Sequence, residues 1–179
     1  MKKLLLAVFT CVFVALPAAA QQTLTPSAFY GTWTGSGVAE NRDSTYFAVT
    51  QRDLDVVIKP ADNGGFTVTW TTVIRSGGNP SQPNVRQRTQ TRTFQPAPEG
   101  RWWRAIESGD PFAGHSLIWA RLARQTLTVY QMSVLPNGTF EIEEYERTLT
   151  GTGMDLKFTL RRDREPVRTV NAKLVKTTR

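Results

Sequence analysis

Alternation with a period of two, recurring along most of the chain, constrains this sequence more than any other feature. Phe66, Val68, Trp70, Thr72 and Ile74 alternate with Thr67, Thr69, Thr71, Val73 and Arg75. Leu127, Val129 and Gln131 alternate with Thr128, Tyr130 and Met132. Met154, Leu156, Phe158 and Leu160 alternate with Asp155, Lys157, Thr159 and Arg161. Successive side chains of a strand point to opposite faces, so the pattern predicts strands with one face buried. Beyond the first twenty residues, no window of a dozen residues carries the 3.6-residue apolar period of a helix.

Turn signals separate the runs at short intervals. Asp62-Asn63-Gly64-Gly65 and Pro136-Asn137-Gly138 are hairpin turns, because Asn-Gly accepts positive φ at both central positions. Gly151-Thr152-Gly153 and Asp163-Arg164-Glu165 are two more. The strands predicted in this way span 32–39, 44–50, 54–58, 66–75, 85–95, 101–107, 116–122, 126–134, 139–149, 154–162 and 167–176. Thr25 to Tyr30 has a capping residue followed by Pro26, which predicts a single helical turn ahead of the first strand. A meander of this length must hide its edges, and closure does so. The expected fold is all-β, a single closed antiparallel up-and-down barrel of about ten strands. Two longer connections, 76–84 and 108–115, are expected at the rim, where they would gate the mouth.

The first twenty residues follow a different rule. Lys2 and Lys3 precede an apolar run from Leu4 to Leu16, and Ala18-Ala19-Ala20 supplies the small residues of a cleavage site. This is the order of a secretory signal peptide over 1–20, cut between Ala20 and Gln21, leaving one barrel domain over 21–179. The run is shorter than the roughly 20 residues of a spanning helix, so no transmembrane segment is expected after cleavage. Cys11 leaves with the signal, and an exported chain without disulfides fits a bacterial periplasmic or secreted protein. With 40% hydrophobic and 21% charged residues, the composition excludes wholesale disorder and fibrous repeats.

Candidate chemistry is sparse. His115 is the single histidine, close to Asp110 and Ser116 in a Gly/Pro loop, but no strained nucleophile elbow accompanies it. It reads as a hydrogen-bonded rim residue; no catalytic residue, enzyme activity, metal or cofactor is expected, and haem ligation through His115 is the minor alternative. Glu141 and Glu143 share one face of a strand and Glu144 and Glu146 the other, a pattern expected to pair across strands with Arg121, Arg124 or Arg161. Arg86, Arg88 and Arg92 share one face and read as a solvated outer face that also discourages edge pairing, with attraction to an anionic envelope component as the alternative. Nucleic acid is not an expected partner, because Gln and Thr rather than aromatics interleave the stripe. Trp102 and Trp103 are adjacent, so one points inward and the other out.

The opening of the first strand, Gly31-Thr32-Trp33-Thr34-Gly35-Ser36-Gly37, follows the short helical turn directly. This resembles the start of the calycin barrels, the lipocalins, fatty-acid-binding proteins and avidins. The fuller Gly-x-Trp-x-Gly-x-Gly spacing is similar to that of the haem-binding nitrobindins. The resemblance implies that Trp33 closes one end of the barrel while Gly31, Gly35 and Gly37 let the strand bend there. It also implies that an Arg from the last strands, Arg161 or Arg168, packs on Trp33. The nitrobindin haem ligand is a His near the C-terminal strands; this sequence has no His after His115, so the barrel carries over and that haem site does not.

These readings converge on an exported lipocalin-like carrier or sensor of a small apolar ligand held inside the barrel. Trp70, Phe66, Val68, Ile74, Trp119 and Phe158 are the expected ligand-binding residues. The alternative is an envelope interaction module with a filled barrel, binding a macromolecule through its basic face or loops.

Overall fold

The computed structural model describes residues 24–44, 48–75, 85–98 and 100–177. The predicted signal segment 1–20 and the predicted rim loop 76–84 lie outside the described residues. The fold is all-β: a closed barrel of ten antiparallel strands in which each strand pairs with its neighbours in sequence and β1 pairs with β10. The strands are β1 (Gly31–Asn41), β2 (Val49–Pro60), β3 (Phe66–Arg75), β4 (Val85–Pro96), β5 (Trp102–Ala105), β6 (Leu117–Ala123), β7 (Thr126–Val134), β8 (Phe140–Thr150), β9 (Gly153–Arg162) and β10 (Glu165–Thr177). The helical turn expected ahead of β1 is a 3-10 turn, Pro26–Phe29. No helix among the described residues is long and apolar enough to cross a membrane.

Two of the eleven predicted runs are one strand. The polar stretch Gln51-Arg52-Asp53 reads as a break, yet it continues β2, paired with Gly37, Ser36 and Val38 of β1. Pairing on β1, and on β3 from Arg52 onward, supplies backbone partners that a local reading does not see.

Up-and-down order sorts the loops into two ends. The start of β1, the end of β2 and the start of β3 meet at one end, with Gly31 opposite Ile58 and Pro60 opposite Phe66. This end is packed shut. Phe66 stacks on Phe94 with centroids 5.0 Å apart and meets Trp103 edge-on at 5.6 Å. Phe29, Ile58, Leu127, Met154 and Leu174 are fully buried around them. Trp103 thus points inward, while its neighbour Trp102 is exposed under the Arg121 guanidinium.

Trp33 is buried at this closed end, and its Nε1–H donates to the Phe29 carbonyl at 2.9 Å. The cation over its ring is Lys176 of β10, 5.3 Å from the centroid, rather than Arg161 or Arg168. Antiparallel register explains the exchange: the start of β1 faces the end of β10, and Trp33 lies opposite Lys176. Arg161 instead binds Glu144 at 2.6 Å, and Arg168 donates to Asn41 at 2.6 Å at the far end. Gly35 and Gly37 act through close approach. A Cβ at Gly35 would run into the Lys173 carbonyl oxygen, and one at Gly37 into that of Asn171.

Candidate functional site: the lumen at the barrel mouth

The opposite end remains open, and a cavity of about 320 Å³ occupies the lumen there. Its apolar wall includes Leu54, Val56, Trp70, Ile74 and Phe158. Trp70, Tyr145 and Phe158 form a continuous aromatic run, with centroid separations of 5.0 Å and 4.7 Å. Its polar wall is cationic. Arg52, Arg86, Arg88, Arg147 and Arg168 line the cavity against one carboxylate among the described residues, Glu143. That carboxylate is already engaged, because the Tyr145 hydroxyl donates to Glu143 Oε2 at 2.6 Å.

The arginine stripe of β4 therefore corrects the sequence reading: Arg86 and Arg88 line the lumen instead of a solvated outer face. Phe94 decides the matter. It shares the parity of Arg86, Arg88 and Arg92 along β4, and it is fully buried in the closed end. The opposite parity carries threonines, and these pair across β3 and β4 through side-chain hydrogen bonds. Thr71 meets Thr89 at 2.9 Å, Thr69 meets Thr91 at 3.0 Å and Thr67 meets Thr93 at 3.3 Å. With hydrophobic Phe94 anchored inside and threonines laddered outside, the arginines have only the lumen to face. The signal was present in the sequence as the parity of Phe94.

Arg147 is the most unusual of the five. It is fully buried, held between aromatic rings, with its guanidinium carbon 5.5 Å from the Trp70 centroid and 5.6 Å from that of Tyr145. Only Nη1 has a hydrogen-bond acceptor, the Tyr145 carbonyl, at a long 3.5 Å. Nε and Nη2 have no hydrogen-bond partner among the described residues. Burial pushes its pKa down to about 10, with a smaller opposing pull from Tyr145. Burial also lowers the pKa of Arg52, and the nearby Arg168 charge lowers it further. Burial raises that of Tyr145, helped by the negative charge of Glu143.

The expected ligand-binding residues divide three ways. Trp70, Ile74 and Phe158 line the cavity. Phe66 and Val68 belong to the packed core nearer the closed end. Trp119 lies on the outer face, stacked on Tyr130 at 4.9 Å, because its β6 neighbours Ile118 and Ala120 take the inward parity. Sequence reasoning missed Arg52, Arg147 and Tyr145. Of the four glutamates of β8, Glu141 binds Arg162 at the rim, whereas Glu144 and Glu146 pair outside with Arg161 and Lys157.

The 108–115 connection does sit at the mouth, between β5 and β6, and contains a 3-10 turn, Pro111–Ala113. Of the three chemistry-bearing residues in and beside it, two are hydrogen-bonded to other groups. Asp110 accepts from the Phe112 N–H at 2.9 Å, Ser116 Oγ is bonded to Ser133 Oγ at 2.8 Å, and His115 is exposed. His115 is not among the described residues that line the cavity.

No family model and no curated protein matches the sequence. Among solved structures, the chain is similar to a DUF3598-family protein of unknown function from Nostoc punctiforme. The TM-score is 0.56 at 16% identity, over 87% of this chain and 50% of that one. This chain thus spans about half the length of that protein, and the likeness is one of fold. It is also similar to an S-type phycobiliprotein lyase from Guillardia theta, with a TM-score of 0.41 and 8% identity over 92% of this chain and 99% of that one. This finding corrects the expectation of a non-enzyme.

Proposed function

We propose that this chain is an exported binding protein that holds a small amphipathic molecule in the mouth-side lumen of its barrel. The observation that carries the reading is the cavity of about 320 Å³ with Trp70, Ile74 and Phe158 on one wall and guanidinium groups on another. Its volume is at the lower end of small-molecule sites, which combine an apolar lining with a few polar groups that fix orientation. The purely apolar ligand expected from sequence fits this wall less well than a molecule with one polar end. The alternative, a filled barrel acting through a basic outer face, loses support because Arg86 and Arg88 belong to the lumen.

Export rests on the residues of the N-terminal segment, Lys2-Lys3, the apolar run and Ala18-Ala19-Ala20. A periplasmic or secreted location follows from it, with the barrel domain over 21–179 as the mature chain. Native mass spectrometry of protein purified from its own compartment tests the binding reading directly. A co-purifying small molecule, released on denaturation and absent from Trp70→Ala, is the expected result. A ligand-free protein whose tryptophan emission no amphipathic dye alters overturns it.

A further inference from the structure

A buried cation with unpartnered donors is costly, and here the two donors share one edge. Nε–H and Nη2–H of Arg147 lie side by side along the guanidinium, the edge that receives the two oxygens of a carboxylate in parallel. Its burial and its charged neighbours make this cation less comfortable in isolation. Burial works against its charge, and Arg52, Arg86, Arg88 and Arg168 add four positive groups around the same cavity. The cavity carboxylate, Glu143, accepts from Tyr145 instead. Resting on the small-molecule reading above, we infer that the ligand is a small organic oxyanion, its carboxylate or equivalent head taken edge-on by Arg147 and its flat apolar body lying against Trp70 and Phe158.

The geometry orders the steps of binding. Arg86 and Arg88 are exposed at the mouth and attract an anion from solution. Arg52 of β2 and Arg168 of β10 are less exposed and line the same cavity. Solvent does not reach Arg147, because the Trp70 and Tyr145 rings cover it, so the head reaches the guanidinium by displacing one of them. Trp70 emission then reports the arrival of the head. A neutral molecule with the same body gains the aromatic contacts but leaves the charge of Arg147 uncompensated.

Two dyes with one body separate these cases. 8-Anilinonaphthalene-1-sulfonate carries an oxyanion, and N-phenyl-1-naphthylamine is the same framework without it. The full mature protein is expected to bind the sulfonate at least tenfold more tightly. Arg147→Met should abolish that preference and raise the melting temperature, whereas a purely structural arginine would lower it. Arg147→Lys keeps the charge but loses the planar edge, and should lose most of the preference too. Should neither variant fold, wild-type protein still decides: 1-naphthoate must displace the sulfonate dye far better than 1-naphthylmethanol does. Equal affinity for the two dyes, or a preference that survives Arg147→Met, overturns the oxyanion inference and leaves the small-molecule reading standing. Binding of neither dye and of neither naphthalene overturns both.

Discussion

The guanidinium of Arg147 lies 5.5 Å from the centre of the Trp70 ring with none of its surface exposed. A cation–π contact of this kind contributes roughly 0.5–2 kcal/mol, less than the several kcal/mol that desolvating an unpaired charge costs. The pair is therefore a compromise in which stability is given up at the floor of the cavity. Conflict between local stability and an otherwise consistent fold is the usual mark of a functional site.

Arg147→Met should accordingly stabilise the protein at neutral pH, by about 1–4 kcal/mol, the range seen when buried charges give way to apolar groups. The sign of the pH dependence follows from a pKa pushed down to about 10, below the ordinary guanidinium value. Below pH 10 the guanidinium is charged in both folded and unfolded chains, and its full penalty applies. Above pH 10 the folded chain releases the proton before the unfolded chain does, so the penalty shrinks. The advantage of the Met variant in urea unfolding should be largest at pH 7–9 and smaller at pH 11. An advantage that grows with pH would contradict the assignment.

Trp33→Ala should cost about 3–5 kcal/mol, as truncation of a buried aromatic does. Trp33→Phe keeps most of the ring and isolates the hydrogen bond to the Phe29 carbonyl, so a loss of about 1–3 kcal/mol is expected. Lys176→Ala removes only an exposed cation over the ring and should cost about 1 kcal/mol or less. Thermal melts of the three variants check the order.

Gly35→Ala should destabilise more than its single methyl suggests. The new Cβ meets the Lys173 carbonyl oxygen, a backbone atom held in the β1–β10 ladder that cannot turn aside. A loss of at least about 2 kcal/mol, with strand separation near β10, is the expected result. Hydrogen exchange should show reduced protection confined first to β1 and β10.

Arg161→Ala provides the contrast. Its 2.6 Å pair with Glu144 lies on the outer surface, where ion pairs contribute about 1 kcal/mol or less and weaken with salt. Its melting temperature should stay close to wild type at high ionic strength. A large, salt-independent loss would instead restore Arg161 to the Trp33 packing role that the family resemblance implies.

Trp70→Ala should enlarge the cavity and cost about 3–5 kcal/mol, because Trp70 is nearly buried between Tyr145 and Arg147. Quenching of tryptophan emission by bound anilinonaphthalene dye should fall sharply in this variant. Trp119→Ala should leave the quenching almost intact, since Trp119 stacks on Tyr130 outside the barrel.

Period-two alternation and Asn-Gly turns were enough to establish strands, hairpins and closure, because backbone pairing and the hiding of edges follow from local chemistry. Trp33 at the closed end was legible from its place in the Gly-x-Trp opening, whereas Lys176 as its partner was not. That contact joins residues 143 positions apart and depends on the β1–β10 register. Alternation divides a strand into two faces without naming the inner one. In β3 the apolar face made the choice plain; in β4 the arginines lay on one face and the threonines on the other, with glutamine on both, and both looked like solvent. Tertiary structure decided it through one residue. Burying Phe94 in the closed end turns every side chain of its parity into the lumen, and Arg86 and Arg88 follow because a strand cannot twist one residue out of phase without exposing its anchor. The same rule, applied in β8 through buried Tyr145, set Arg147 beside Trp70 and made the cavity cationic.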